Sequence, residues 1–464
     1  MSNDDDLGEE LNVGEWSKRV AYSERGGFAY RPGQVFVQGA RGDEAASLLG
    51  TRPSQASALV REPSGTYERI AGVDDTIDGI EFLRAEGLPA HPNHVMFSHC
   101  QCCCGPHPAN LFSANPFSSN PFSSNPFSSN PFSSNPSADS WANYVQPNPH
   151  PLRATAGFEP ATREFQRSGR RPHSARQAVG PYLPPPPPID GGQLRPPVVV
   201  IDTGIATGTL RPAALEGPDI ILNTAVAGVC RRPASETPDR DGDYLIDPIA
   251  GHGTFIAGII RMIAPGCELH VQGPVSGYGD IDEHDVGLVL DALAPQPPGL
   301  LNLSFGGYSV SDMPRLAESV RGLQRSGWVV VASAGNDATC QPAYPAALPD
   351  VVAVGALGQF GPAPFTNYGP WVRACAPGVD VVSTFFKQWQ STIDAAERYE
   401  EWVRWSGTSF AAPAVTGALA RAMREGLDAQ QAVDRLIDDP GLFRIHGLGA
   451  VVNQTPWWRK RSGQ

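Results

Sequence analysis

Five short, almost uninterrupted apolar runs recur in the second half of this chain, at residues 198–202, 268–272, 300–305, 329–333 and 351–354. Strands that read this way are buried on both faces, the condition of a parallel sheet covered by helices. The intervening stretches 253–262, 283–293 and 314–326 carry helical patterning, so this half is expected to be α/β with a central parallel sheet. In such sheets functional groups gather at strand ends and helix starts. Asp202 closes the run Pro197-Val-Val-Val-Ile-Asp and precedes Thr203-Gly204. His252 stands in Gly251-His-Gly-Thr, and Ser409 in Gly407-Thr-Ser-Phe-Ala-Ala-Pro, a tight turn that opens a small-residue helix.

The order aspartate, histidine, serine is one of three chain orders in which a nucleophilic serine triad is assembled. A serine hydroxyl attacks a carbonyl only when a base removes its proton, and the base needs a partner that fixes its tautomer. The segments Val-Ile-Asp-Thr-Gly, Gly-His-Gly-Thr, Leu-Asn-Leu-Ser-Phe-Gly, Ala-Ser-Ala-Gly-Asn and Gly-Thr-Ser-Phe-Ala-Ala-Pro resemble, in order and rough spacing, the subtilisin-like serine peptidases (subtilases). The resemblance covers about residues 196–450 and implies a three-layer fold with a central parallel sheet.

That resemblance implies that Asp202, His252 and Ser409 are the triad and that Asn336 is the side-chain donor of the oxyanion hole. It implies that Ser304, Phe305 and Gly306 form the edge on which extended substrate pairs as an added strand. Protein or peptide substrates follow, and hydrolysis passes through an acyl-enzyme. One departure concerns the residue after Gly-His-Gly-Thr, where the family commonly has histidine and this chain has Phe255. The aromatic-rich stretch 384–405 ahead of the nucleophile is also long and is expected to shape or cover the pocket.

No cofactor is required by this chemistry. Asp239, Asp241, Asp243 and Asp247 fall at positions 1, 3, 5 and 9 of a calcium-loop-like spacing, although Ala250 stands where such a loop has its glutamate. They are the candidate ligands for structural calcium, and an approach to the histidine free of metal is the other reading.

The first half is organised differently. Residues 28–37, 43–49, 58–61, 66–70, 77–86 and 94–97 read as β-α-β-β-α-β, a small split-βαβ, α+β region spanning 25–99 behind an acidic, disordered segment 1–24. Such a region ahead of a subtilase resembles the family's propeptide, an inhibitor and folding chaperone acting in cis. A tethered regulator or an unrelated interaction domain are the alternatives. Residues 100–190 hold Cys100, Cys102, Cys103 and Cys104, four Asn-Pro-Phe-Ser-Ser repeats and the prolines 184–188, and are expected to form a disordered linker. His94, His99, His107 and the four cysteines are read as either a metal or redox site or reduced thiols. The peptidase domain is expected over 191–452, with a tail at 453–464.

The net charge of -13 excludes nucleic acid as a partner, since phosphate recognition needs a basic face. An acidic N-terminus with no apolar segment, and no transmembrane run, leads to a cytoplasmic expectation. Only Lys18, Lys387 and Lys460 among 35 basic residues suggest a bacterial source. The competing functional class is a catalytically inactive subtilase-fold scaffold that recruits partners through residues 100–136.

Overall fold

The computed structural model describes residues 19–23, 27–98, 150–151, 196–222, 234–240, 242–247, 249–309, 312–393 and 398–452. The cysteine cluster with His99 and His107, the Asn-Pro-Phe-Ser-Ser repeats, the proline run and the C-terminal tail lie outside the described residues.

From Phe28 on, the N-terminal region has the order its sequence predicts: β1 (Phe28–Gln38), α1 (Gly42–Gly50), β2 (Val60–Ser64), β3 (Tyr67–Ala71), α2 (Thr76–Ala85) and β4 (Ala90–Ser98); ahead of it, within the stretch expected to be disordered, Ala21–Ser23 forms a further strand antiparallel to the start of β1. Asp75 starts α2 by accepting the Asp78 N–H with its side chain, the usual function of an aspartate cap. Both helices cover one face of the sheet, where Val35, Val37, Leu49, Ile70, Ile80 and Leu83 form a core. β4 is longer than its apolar pattern suggests, because Pro92 and two histidines break the run. Its pairing with β1 shifts register between Tyr30 and Val35, an irregularity around Pro32 that a proline without an N–H requires.

The second half is built around a parallel sheet in the order Gly449–Val451, Ala374–Pro377, Val352–Gly358, Val329–Ser333, Leu300–Leu303, Pro197–Ile201, Glu268–Gln272, Ile220–Leu222. Pro197–Ile201 is β5. Helices cover both faces, which explains the continuous apolar runs. On one side lie α3 (His252–Ile263) and, later in the chain, Thr408–Arg424, packed with Val198, Val200, Phe255 and Val415. On the other lie α4 (Glu283–Leu293) and α5 (Pro314–Arg325), packed with Val199, Ile201, Leu303 and Leu316. We call the helix Thr408–Arg424 α6.

The run expected as one strand at 300–305 is divided at Ser304. Leu300–Leu303 stays in the parallel sheet, whereas β6 (Phe305–Tyr308) joins the sheet of the N-terminal region. The short strand Asp280–Asp282 does the same, giving an eight-stranded sheet that runs through both regions. β4 is inserted between them: Phe97 lies opposite both Asp280 and Gly306, and Ser98 lies opposite Phe305 and donates its N–H to Gly279 O at 2.8 Å. Within the stretch expected to be linker, His150–Pro151 pairs antiparallel with Trp402–Trp405.

Side chains lock this junction. Met96 is fully buried in the core that contains Ile281, Phe305 and Met313. Arg31 reaches Asp280 at 2.7 Å and Asp282 at 2.8 Å, and Ser64 Oγ accepts from Arg315 Nε at 2.8 Å. Buried ion pairs contribute little net stability but are costly to break from one side, so they fix how the two regions meet. Removing the Met96 side chain leaves a cavity there, and buried Met→Ala changes cost about 2–5 kcal/mol. Met96→Ala in a Ser409→Ala background is therefore expected to lower the urea midpoint. An unchanged midpoint would mean that the junction carries no stability.

Candidate functional site

Asp202 follows β5 and faces the start of α3. Its Oδ1 lies 2.7 Å from His252 Nδ1, and both side chains are fully buried. The Thr203 N–H at 2.8 Å also holds Oδ1, so the carboxylate cannot rotate freely. With the Nδ1 proton engaged by Asp202, His252 Nε2 is the ring's acceptor, and it is buried with no hydrogen-bond partner among the described residues.

The glycines around His252 answer to close approach. Gly251 has φ of 85°, and a Cβ there would sit 1.8 Å from the Phe385 ring. A Cβ on Gly253 would fall 2.1 Å from the Gly204 carbonyl oxygen. The Gly-His-Gly spacing thus permits the helix start to press against the strand end that carries Asp202.

Ser409 lies in the first turn of α6. Its Oγ donates to Ser304 O at 3.1 Å, while Ser304 Oγ donates to Ser409 O at 2.9 Å. Asn302 and Thr416 extend this network, with Asn302 Nδ2 reaching Ser304 Oγ at 3.0 Å and Thr416 Oγ1 reaching Asn302 Oδ1 at 3.0 Å. The ring of Phe410, the neighbour of Ser409, is 5.4 Å from the His252 ring, which places the three residues in one neighbourhood. Asn336 Oδ1 accepts both the N–H and the hydroxyl of Thr408 at 2.9 Å, which fixes the amide and turns Nδ2 the other way.

Phe255 is fully buried, 4.5 Å from Phe410 and 5.8 Å from Trp405 between ring centroids. Trp405 also lies edge-on to His252 at 5.6 Å. The long aromatic stretch therefore forms a wall behind the histidine, with Phe385, Tyr399 and Trp405 all buried. An apolar residue at 255 fits that wall.

The aspartate-rich loop is held in shape by its own backbone. Asp239 accepts Gly242 N and Tyr244 N, Asp243 accepts Leu245 N, and Asp247 accepts Arg240 N. Among the described residues these carboxylates do not converge on a common point, and Asp241 lies outside them. They shape the turn ahead of α3. Cys267 and Cys375 are buried thiols, each pushed up to about 12 by burial, as small core residues are.

Sequence reading missed Glu236, whose only signal is one acid in the uncharged run Ala-Ser-Glu-Thr-Pro. It is buried beneath the site, where Oε1 accepts Thr203 Oγ1 at 2.5 Å and Gly251 N at 2.6 Å, and Oε2 accepts Thr254 Oγ1 at 2.6 Å. One carboxyl thereby ties the residue after Asp202 to the residue before His252.

With this geometry in place, the comparisons with known proteins are specific. The sequence model of the subtilase family matches residues 196–434, and the chain belongs to that family. It is similar to a thermophilic serine proteinase of Bacillus sp. (strain AK1), 32% identical over 223 residues, covering 45% of this chain and 51% of that protein. The chain therefore spans about half the length of that relative. Subtilisin Savinase of Lederbergia lenta is 29% identical over 233 residues, covering 48% of this chain and 74% of its own. The structure of fervidolysin from Fervidobacterium pennivorans, a keratinolytic enzyme related to subtilisin, shares the fold at a TM-score of 0.55 with 18% identity, over 97% of this chain and 64% of that one.

Burial raises the Glu236 carboxyl to about 7, against the hydrogen bonds from Thr203 and Thr254. The folded state holds this proton more tightly than the unfolded chain, whose value is 4.5. The group's contribution to stability is thus complete below about 4.5 and is lost as pH rises through about 7. In a Ser409→Ala background, Glu236→Gln is expected to flatten the fall in denaturation midpoint between pH 5 and pH 8. Identical pH dependence with and without Glu236 would contradict this.

Proposed function

We propose that this chain is a serine endopeptidase that hydrolyses peptide bonds with Asp202, His252 and Ser409, and that its own N-terminal region occupies the edge where substrate pairs. The buried contact of Asp202 Oδ1 with His252 Nδ1 at 2.7 Å, beside a serine at a helix start, carries the catalytic reading.

His252 Nε2 takes the proton of Ser409 as Oγ attacks the scissile carbonyl, and Asp202 stabilises the imidazolium that results. In this step the hydroxyl exchanges its bond to Ser304 O for one to Nε2. The oxyanion is received by Asn336 Nδ2 and the Ser409 N–H. His252 then protonates the leaving amine, and water repeats the sequence on the acyl-enzyme. Acyl transfer by these groups draws on no cofactor.

Substrate specificity for extended chain follows from β6. Its backbone pairs with an antiparallel strand, and in this structure that strand is β4. β4 runs from Phe97 opposite Gly306 to Ser98 opposite Phe305, and so approaches Ser304, whose carbonyl is the partner of Ser409 Oγ. This direction supports an inhibitory N-terminal region that is also the first substrate. The protein or peptide that replaces it would pair in the same way.

A fluorophosphonate probe followed by intact mass spectrometry tests the reading. Wild-type protein is expected to label once and to lose a fragment cut within a few residues after Ser98, with Ser409→Ala neither labelled nor cut. Absence of labelling after the N-terminal region has been removed by an added protease would favour an inactive scaffold. Asn336→Ala is expected to lower kcat about 10²–10³-fold with little change in KM, the cost known for a side-chain donor of this kind in subtilisin.

A further inference from the structure

The junction between the N-terminal and peptidase regions holds a second cluster of chemistry-bearing side chains. His91 and His94 on β4 face Glu283 in the first turn of α4, with His94 Nδ1 at 2.6 Å and His91 Nδ1 at 3.5 Å from Glu283 Oε1. One ligand atom from each residue falls within 4.8 Å of the others, and all three residues are buried. Among the described residues, only these two histidines lie within ion-pairing distance of the Glu283 carboxylate, and no lysine or arginine does. Its Oε2 is held by Leu316 N at 3.2 Å. Nothing in the proposed peptide hydrolysis uses these three groups.

Two imidazoles and one carboxylate are a donor set suited to zinc. Bonds of about 2.0–2.1 Å in a tetrahedral site separate ligand atoms by roughly 3.3 Å. The gap from His91 Nδ1 to Glu283 Oε1 already has nearly that width. The His94 pair has to open by less than about 1 Å, while Oε1 also accepts the His94 backbone N–H at 3.2 Å. Coordination would also replace the 3.0 Å contact of His91 Nδ1 with Pro92 O.

We propose that His91, His94 and Glu283 bind a zinc ion that clips the N-terminal region to the peptidase region. Because two ligands come from β4 and one from α4, the ion binds the docked arrangement in preference to the separated one, and by mass action it stabilises docking. Metal supply then sets how readily the region leaves the substrate edge. The uptake of the ion itself is independent of whether the chain is a peptidase.

The test uses the full chain carrying Ser409→Ala, with Cys100, Cys102, Cys103 and Cys104 changed to Ser so that the thiols do not compete for metal. Titration calorimetry with zinc chloride, and metal analysis after dialysis, are expected to give one equivalent of zinc and a rise in Tm. His94→Asn and Glu283→Gln are each expected to weaken binding by roughly 100-fold or more, since loss of an outer-sphere partner alone costs about 10–100-fold. Both variants retain polar groups of similar shape, and circular dichroism reports whether they fold. If one of them unfolds, His91→Asn supplies the same comparison. No zinc uptake by the folded parent, or equal uptake in folded variants, would overturn the proposal.

Discussion

The structure depends on where β4 finds its backbone partners. An internal strand must satisfy N–H and C=O groups on both sides, and the last residues of β4 do so between Asp280–Asp282 and Phe305–Tyr308 of the peptidase region. Those two segments are edges that a free peptidase would present to solvent, and an exposed edge is a template for any extended chain. The N-terminal region completes them. The same pairing accounts for the burial of Met96 in the peptidase core and for the position of Arg31 over two aspartates.

A second constraint acts one layer deeper. Asp202 ends a strand, His252 and Ser409 begin helices, and each would be poorly placed by its own element alone. Glu236 joins the strand end to the start of α3, and Ser304 joins the parallel sheet to α6. Aromatic side chains from 385–410 close the back of the histidine. The peptide-bond chemistry that we propose asks for this kind of rigidity, since catalytic groups act at hydrogen-bond distances.

Much of this was legible in the sequence because it is local. Apolar runs such as 329–333 report burial on both faces, and Gly-His-Gly marks a helix start that tolerates no Cβ. The β-α-β-β-α-β order of the N-terminal region follows from patterning alone. What depends on tertiary meeting was not legible. The division at Ser304 is invisible in Leu-Asn-Leu-Ser-Phe-Gly, because β6 leaves the parallel sheet only to meet β4. Glu236 looks like any loop acid until Thr203, Gly251 and Thr254 surround it. The aspartates at 239, 243 and 247 have the spacing of a cation loop and also accept backbone N–H groups, a turn-shaping part that spacing does not reveal. His91 and Glu283 are far apart in sequence and adjacent only because two sheets become one.

Hydrogen exchange on the whole Ser409→Ala chain reads whether the N-terminal region fills the edge that we propose for substrate. Amides of Val95–Ser98 are expected to be protected as strongly as those of Phe305–Tyr308, and both sets to lose protection together when the N-terminal region is cut away. Rapid exchange at 95–98, while the parallel sheet of the intact chain stays protected, would contradict it.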